Sequence, residues 1–145
     1  MIPLSNIDIQ EIMKNEDNFR GVFTIDTLPK RIKKSESGII NYDQITGSGT
    51  HWVAYYNHPK SKYVEFFDSF GLYPGNEIQR FLKTSGKKIL YNSSQIQSND
   101  SVLCGYYCIN YIRERNKNIS PYDVLYKFEQ QPNRKNETAL ESMFC

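Results

Sequence analysis

Three side chains of this sequence have types that can support covalent catalysis. Cys104 stands where a polar stretch gives way to an apolar one, and a cysteine thiolate is a good nucleophile. His51 precedes an aromatic run, and an imidazole exchanges protons near neutral pH. Asp68 ends another aromatic run, where a carboxylate can orient an imidazole. Together they have the chemical types of a cysteine-based hydrolytic site.

Cys104 is the strongest candidate nucleophile among the three cysteines. It lies near the start of a predicted helix, 102–115, where the helix dipole favours a thiolate, and the polar residues before it predict exposure. Gly105 is expected to leave room for a substrate. Cys108 is expected in the core, and Cys145, the last residue, is expected to be exposed. The alternative for any single cysteine is a small buried hydrophobe.

The choice of base lies between two histidines. His58 falls in an Asn-His-Pro-Lys turn and is expected to be solvated, which favours His51. Asp68 is preferred to Glu65 as the acid, because strand alternation turns Glu65 to the opposite face. A turn or capping role for Asp68, and a structural role for His51, stay open. Trp52 either covers one side of the imidazole or anchors the core.

An oxyanion needs at least two hydrogen-bond donors. The backbone N–H of Cys104 is one candidate. A glutamine before the nucleophile is the other, and both Gln95 and Gln97 qualify by residue type. The alternative for each glutamine is a solvated loop side chain. No metal site and no cofactor is predicted.

The elements that must position these residues predict an α+β domain, with a small mixed sheet packed against the helix that carries Cys104. Alternation and β-forming residues predict five strands. The second strand is predicted at a sheet edge, with an exposed loop before it. The third and fourth strands are predicted to form a hairpin. Helical spacing and capping residues predict helices, the Cys104 helix being capped by Asp100 or Ser101. The predicted strands are 19–26, 39–42, 52–56, 63–68 and 87–92, the exposed loop is 30–38, and the predicted helices are 4–19, 74–83, 102–115, one capped by Ser120, and a short one at 139–145. A flexible approach to His51 is expected at 46–50, and a polar connection at 132–138.

Length and composition limit the number of domains and the class of protein, but they do not indicate a function. The 145 residues suit one domain, 1–145, and the net charge of +2 indicates no particular class of partner. Three cysteines are too few for a disulfide scaffold, so a reducing compartment is expected. No signal peptide and no membrane-spanning run is predicted. We therefore expect a soluble, intracellular protein that does not engage a membrane.

Four motifs together resemble the adenovirus-type (adenain-like) viral cysteine endopeptidases, of the clan that includes ubiquitin-like-protein proteases. They are Gly-x-His-Trp at 49–52, Asp-x-Phe-Gly at 68–71, Gln-x6-Cys-Gly at 97–105 and Phe-x-Gly-x-Phe-x-x-Asp at 19–26. His51 and Asp68 are 17 positions apart, and Gln97 lies seven before Cys104, as in the family. The likeness extends over residues 4–115.

The resemblance implies a papain-like fold, a thioester mechanism and a role for each matched residue. Cys104 would be the nucleophile, His51 its ion-pair partner and base, Asp68 the orienting acid and Gln97 the oxyanion donor. Viral capsid and core precursors would be the substrates, with cleavage next to glycines. The protein would then act as a monomer during virion maturation, in the virion and in the cytoplasm or nucleus of the infected cell.

Three departures from the family pattern limit what is carried over. The acid is Asp68, where adenovirus enzymes mostly carry Glu and ubiquitin-like-protein proteases carry Asp. After the helix that carries Cys104, the chain is much shorter than adenain. No cysteine lies between Asp68 and Gln97, so a disulfide-linked peptide activator is not supported. A DNA activator is neither supported nor excluded by the basic run 30–34.

Two other functions stay open from the sequence. One is a deconjugating protease acting on ubiquitin-like tails, which needs a large surface to seat the modifier. The other is a catalytically inactive binding or assembly module. The presence of all four residues argues against the inactive module. An acetyltransferase of related fold uses the same trio and is the least favoured.

Overall fold

A five-stranded mixed sheet organises the chain, in the order β1-β2-β3-β4-β5. The computed structural model describes residues 1–43 and 51–144, so the predicted flexible approach at 46–50 and Cys145 lie outside the described residues. The elements are α1 Asn6–Met13, β1 Phe19–Thr24, β2 Glu36–Asn41, β3 Trp52–Asn57, β4 Tyr63–Phe67, α2 Asn76–Lys83, β5 Lys88–Tyr91, α3 Cys104–Asn116, α4 Pro121–Leu125 and α5 Arg134–Ser142.

The centre of the sheet is antiparallel and its two flanks are parallel. β3 pairs antiparallel with both β2 and β4, while β1–β2 and β4–β5 are parallel pairs. The β3–β4 hairpin predicted from the sequence is confirmed. Because antiparallel neighbours run in opposite directions, the start of β3 and the end of β4 lie side by side at the open end of the hairpin.

The sheet separates two apolar cores, because successive strand residues point to opposite faces. On one face, Trp52, Ala54 and Tyr56 pack with α1 and α3. On the other, Val53 and Tyr55 pack with α2, which contributes three buried side chains, Ile78, Phe81 and Leu82. The α+β class, and the packing of the sheet against the helix of Cys104, are therefore confirmed. Within the described residues no helix is long and apolar enough to span a membrane.

The predicted N-terminal helix is too long and the predicted edge strand is misplaced. α1 begins after Ser5, whose side chain forms a capping box with Asp8, and it ends at Met13. Asn18 has a φ of 60°, in the left-handed region, which prevents a helix from continuing to residue 19. The expected edge strand is β2, which lies between β1 and β3 with every residue buried. Alternation in the sequence does not show that β1 pairs in parallel with β2, and this pairing is what places β2 inside the sheet.

Residues 36–38, which were predicted in an exposed loop, belong to β2. Glu36, the first residue of this strand, is buried and accepts hydrogen bonds. Its carboxylate binds the Arg20 guanidinium at 2.9 Å and the Tyr55 hydroxyl at 2.6 Å.

The C-terminal helix is also longer than predicted. α5 begins at Arg134 behind an Asn133 cap, so most of the polar connection 132–138 is helical. The Ser120 cap of α4, with Pro121 following it, is confirmed.

The turn that follows β4, residues 68–71, packs directly against the chain segment after β5. Gly71 has a φ of 74°, and a Cβ there would lie 2.6 Å from the carbonyl carbon of Ser94. Its N–H closes the turn on the carbonyl of Asp68 at 2.7 Å. A side chain at this position therefore meets both backbone strain and a fixed neighbour.

We expect Gly71→Ala to destabilise the fold more than Gly86→Ala does. Gly86 has nearly the same φ, 76°, but a Cβ there has open space. Both variants carry backbone strain of about 1–2 kcal/mol, and only Gly71→Ala adds a clash with the backbone. Urea unfolding of the two variants measures the difference. Equal losses of stability would show that the turn does not depend on close packing against Ser94.

Candidate active site

The hairpin brings His51 and Asp68 together, although they are distant in sequence. His51 directly precedes β3 and Asp68 directly follows β4. The His51 Nε2 atom lies 2.7 Å from Asp68 Oδ1. A carboxylate only accepts hydrogen bonds, so His51 carries a proton on Nε2. Asp68 is 1% exposed, so the carboxylate side of this contact is buried, while the imidazole is partly exposed.

Asp68 is held in place by neighbours on both sides. Its Oδ1 also accepts from the Phe70 N–H at 2.8 Å. The Asn92 amide accepts from the Asp68 N–H at 3.0 Å and donates to its carbonyl at 2.6 Å. Among the described residues, the buried Asp68 Oδ2 has no hydrogen-bond partner. Because this negative charge is only partly compensated, it favours a positively charged ring on His51.

The thiol of Cys104 shares a cavity with the imidazole and, together with Asp68, raises the pKa of His51. Because Nε2 is committed to Asp68, Nδ1 is the ring nitrogen left for the sulfur. Cys104 is the first residue of α3 and lines a cavity of about 290 Å³ together with His51 and Gln97. The sulfur is less exposed than the sequence suggested, since Cys104 is 8% accessible, but it faces this cavity.

The environment of His51 keeps its ring protonated at neutral pH. Burial lowers the pKa of His51, but the hydrogen bonds and negative charges of Asp68 and Cys104 outweigh burial and raise the pKa from 6.5 to about 9. By contrast, burial raises the pKa of the Cys108 thiol well above its usual range. Cys108 is fully buried, as predicted.

Gln97 enters the same cavity with a fixed amide orientation. Its Nε2 donates to the Ser101 carbonyl at 2.9 Å, and its Oε1 accepts from the Ser69 hydroxyl at 2.5 Å. Among the described residues Nε2 has this one acceptor, so a second N–H is available to a substrate. Gln95 instead bonds to the Gln97 carbonyl and to Asn99, and it is not among the cavity-lining residues.

The N-terminus of α3 differs from its prediction. Leu103, not Asp100 or Ser101, is the N-cap, and no side chain caps the helix. The first backbone N–H groups of α3 therefore have no side-chain acceptor, and the Cys104 N–H is among them. This arrangement leaves a backbone hydrogen-bond donor at Cys104, where a capping hydroxyl would otherwise compete.

Gly105 makes room for the protein itself, not for a substrate as expected. A Cβ at Gly105 would lie 3.4 Å from side-chain atoms of Leu4 and of Trp52. The Trp52 indole N–H donates to the Leu4 carbonyl at 3.2 Å. Pro3 and Leu4 therefore line the cavity beside His51 and Cys104. Trp52 has the core role that was one of the two considered for it, and it also lines the cavity.

Two aromatic rings lie near the imidazole. The Phe70 ring is 4.8 Å from that of His51, between ring centroids, and Tyr42 is parallel to it at 6.2 Å. The Tyr42 hydroxyl accepts from the Gly75 N–H, which ties it to the start of α2. These rings restrict the orientation of His51.

The C-terminal helix supports the loop that carries Gln97. The Asn136 amide donates to the Ile96 carbonyl at 2.9 Å. Glu137 accepts from the Ser98 N–H at 3.1 Å and from the Tyr107 hydroxyl at 2.5 Å. The region after α3, whose role the sequence left undefined, thus supports residues 96–98.

Sequence reasoning missed the residues that support the site. Asn92 and Ser69 bond to the proposed acid and the proposed oxyanion donor, and Asn136 and Glu137 hold the loop. A Ser following Asp68 was visible in the sequence, but its partner across the fold was not. His58 lies away from the cavity and bonds through Nδ1 to the Lys60 N–H. Within residues 1–43 and 51–144, no cluster of three or more His, Cys, Asp or Glu side chains is arranged to hold a metal ion.

Comparison with known proteins gives the fold a precedent. No family model and no curated protein matches the sequence. A crystal structure of the ASFV pS273R protease superposes with a TM-score of 0.67 and 17% identity, covering 92% of this chain and 64% of that one. Its selenomethionine form gives a TM-score of 0.57 and 23% identity, covering 71% of this chain and 41% of that one.

A structure of the SUMO protease Ulp1, with its catalytic cysteine oxidised to a sulfinic acid, is more distant. Its TM-score is 0.42 at 17% identity, covering 82% of this chain and 55% of that one. The chain spans less than two thirds of the pS273R protease. The expected cysteine-protease fold is confirmed: this chain has the fold of the ASFV pS273R protease.

Proposed function

We propose that this chain is a cysteine endopeptidase. The observation that carries the proposal is the imidazole of His51, which bonds to the buried Asp68 and shares one cavity with the Cys104 thiol and the Gln97 amide. These groups supply a nucleophile, a proton carrier, an orienting acid and an oxyanion donor. Each is one of the four residues proposed from the sequence.

In the acylation step, Cys104 attacks as a thiolate paired with the His51 imidazolium. A bond forms between the sulfur and the scissile carbonyl carbon, and the carbonyl electron pair moves to the oxygen. The Gln97 amide and the Cys104 N–H donate hydrogen bonds to this oxyanion. When the intermediate collapses, the C–N bond breaks and the amine leaves with the proton of His51. The product on the enzyme is a thioester.

In the deacylation step, the now neutral His51 acts as a base. It takes a proton from water as the water oxygen attacks the thioester carbonyl. The C–S bond then breaks, the carboxylic acid leaves, and the thiolate and imidazolium are restored. Asp68 keeps the same imidazole orientation through both steps, because its contact is with Nε2 and the reaction proceeds at Nδ1.

We propose viral structural precursors as the substrates, cleaved during virion maturation. The support is the adenain-like motif set in the sequence, together with a fold shared with a protease of ASFV. The site of action would be the virion and the infected cell. The protein would act there as a single domain and a monomer. Activation by DNA or by a non-disulfide peptide is tested by adding each to the assay below.

We expect Cys104→Ala to abolish cleavage of internally quenched peptides and of a co-expressed capsid precursor. Loss of the nucleophile should lower kcat by on the order of 10⁴-fold or more. The matched control is Cys108→Ala, four residues further along the same helix, which should retain cleavage. Thermal unfolding shows that both variants are folded. Unchanged cleavage by Cys104→Ala would contradict the proposal, and cleavage only of ubiquitin-like conjugates would reassign the substrate class.

Iodoacetamide at mildly acidic pH is expected to label Cys104 well ahead of Cys108. Cys104 lines the same cavity as His51, whose pKa is raised, whereas Cys108 is fully buried and its own pKa is raised by burial. Peptide mass spectrometry over a time course measures the two rates. His51→Ala should slow labelling of Cys104 without changing that of Cys108. Equal labelling of the two cysteines in the native protein would mean that Cys104 has no activated thiolate.

A further inference from the structure

We infer that Ser69 is a positioning residue, which holds the Gln97 amide with its N–H groups toward the reacting carbonyl. The inference rests on the proposed function, because it assigns Ser69 a role in the oxyanion step. No property of Ser69 in the sequence marked it for this role. The assignment comes from its contacts.

The first contact fixes the amide through its oxygen. Ser69 is fully buried, and its Oγ lies 2.5 Å from Gln97 Oε1. On the other side, the Gln97 amide faces the Ser101 carbonyl at 2.9 Å. A backbone carbonyl can only accept, so the group facing Ser101 is the NH₂ and the group facing Ser69 is the oxygen. The Ser69 hydroxyl therefore acts as the donor.

The second contact fixes the backbone beneath the amide. The Ser69 carbonyl accepts from the N–H groups of Ile96 and Gln97, at 2.9 Å and 3.1 Å. Ser69 thus binds the same glutamine through its side chain and its main chain. Both ends of the Gln97 side chain are defined relative to one residue.

The consequence concerns charge at the reacting oxygen. A flipped amide would direct Oε1 at the developing oxyanion, and the two would repel. Without the Ser69 hydroxyl, Gln97 Oε1 is a buried acceptor with no donor, and the orientation that presents N–H loses one of its two anchors. Loss of the hydroxyl should therefore weaken oxyanion binding while leaving the thiolate of Cys104 reactive.

Two reactions of Cys104 separate this role from a merely structural one. A peptide aldehyde adds to the thiolate as a hemithioacetal, whose oxygen occupies the oxyanion position. Iodoacetamide alkylates the same sulfur by displacing iodide, with no oxyanion formed. A general loosening of the site would slow both reactions. A defect confined to the Gln97 amide would weaken only aldehyde binding.

The test compares Ser69→Ala with Gln97→Ala and with the double variant. Ser69→Ala is expected to lower kcat by about tenfold or more with little change in KM, and Gln97→Ala by about a hundredfold or more. The double variant should match Gln97→Ala, because Ser69 acts through Gln97. The Ser69→Ala variant should also bind a peptide aldehyde about tenfold more weakly, with its iodoacetamide rate unchanged.

Ser37→Ala is the matched control, since Ser37 is a buried serine on β2 whose hydroxyl has no partner among the described residues. It should leave kcat and aldehyde affinity unchanged. If Ser69→Ala does not fold, Ser69→Cys, which keeps the shape and offers only a weak donor, carries the same comparison.

The outcomes separate this inference from the proposed function. Native protein that cleaves no peptide and binds no aldehyde overturns both. Native protein that cleaves, with Ser69→Ala retaining kcat and aldehyde affinity, overturns the role of Ser69 alone. Equal loss of aldehyde binding and alkylation, or an additive loss in the double variant, also overturns it.

Discussion

The turn at residues 68–71 packs against the segment that follows β5, and both halves of the candidate site depend on this contact. The Asn92 side chain forms two hydrogen bonds with the backbone of Asp68. Gly71 packs against the backbone of Ser94, and the Ser69 hydroxyl donates to Gln97. The proposed acid and the proposed oxyanion donor therefore share one support. A displacement of this turn would move the imidazole partner and the glutamine amide together.

A buried ion pair connects this support to the helix that carries the proposed nucleophile, Cys104. Glu65 on β4 accepts from the Arg115 guanidinium at 2.7 Å and 2.8 Å and from the Tyr111 hydroxyl at 2.7 Å. Both partners belong to α3, which begins at Cys104, while β4 leads into Asp68. The pair thus ties the strand of the acid to the helix of the thiol. Removing one partner from such a buried pair costs about 3–5 kcal/mol, so its role is to fix the relative position of strand and helix.

The predictions that succeeded rest on local pattern. The aromatic runs around residues 52–56 and 63–67 alternate and flank a turn, so the sequence predicts their hairpin, and the hairpin predicts the meeting of His51 with Asp68. Strand alternation makes Glu65 the weaker candidate for the acid, and in the structure Glu65 pairs with Arg115 of α3 instead. The α+β class follows from the same elements.

The predictions that failed concern contacts between distant segments. The cap of α3 is Leu103 because the Ser101 hydroxyl accepts from the Leu103 N–H and its carbonyl binds Gln97. Gly105 accommodates Leu4, about a hundred positions earlier. The roles of Ser69 and Asn92 depend on a segment more than twenty residues away. No spacing in the sequence encodes such partners.

The protonation of His51 tests the account most directly, because the raised pKa of the ring depends on its interactions with both Asp68 and Cys104. NMR titration of the His51 ring, assigned with a His58→Gln variant, is expected to give a midpoint near pH 9. Because this pKa lies above the usual 6.5, the bound proton stabilises the fold below about pH 6.5, and that stability is lost as pH rises through 9. Asp68→Asn should lower the midpoint. A native midpoint at or below 6.5 would contradict the arrangement.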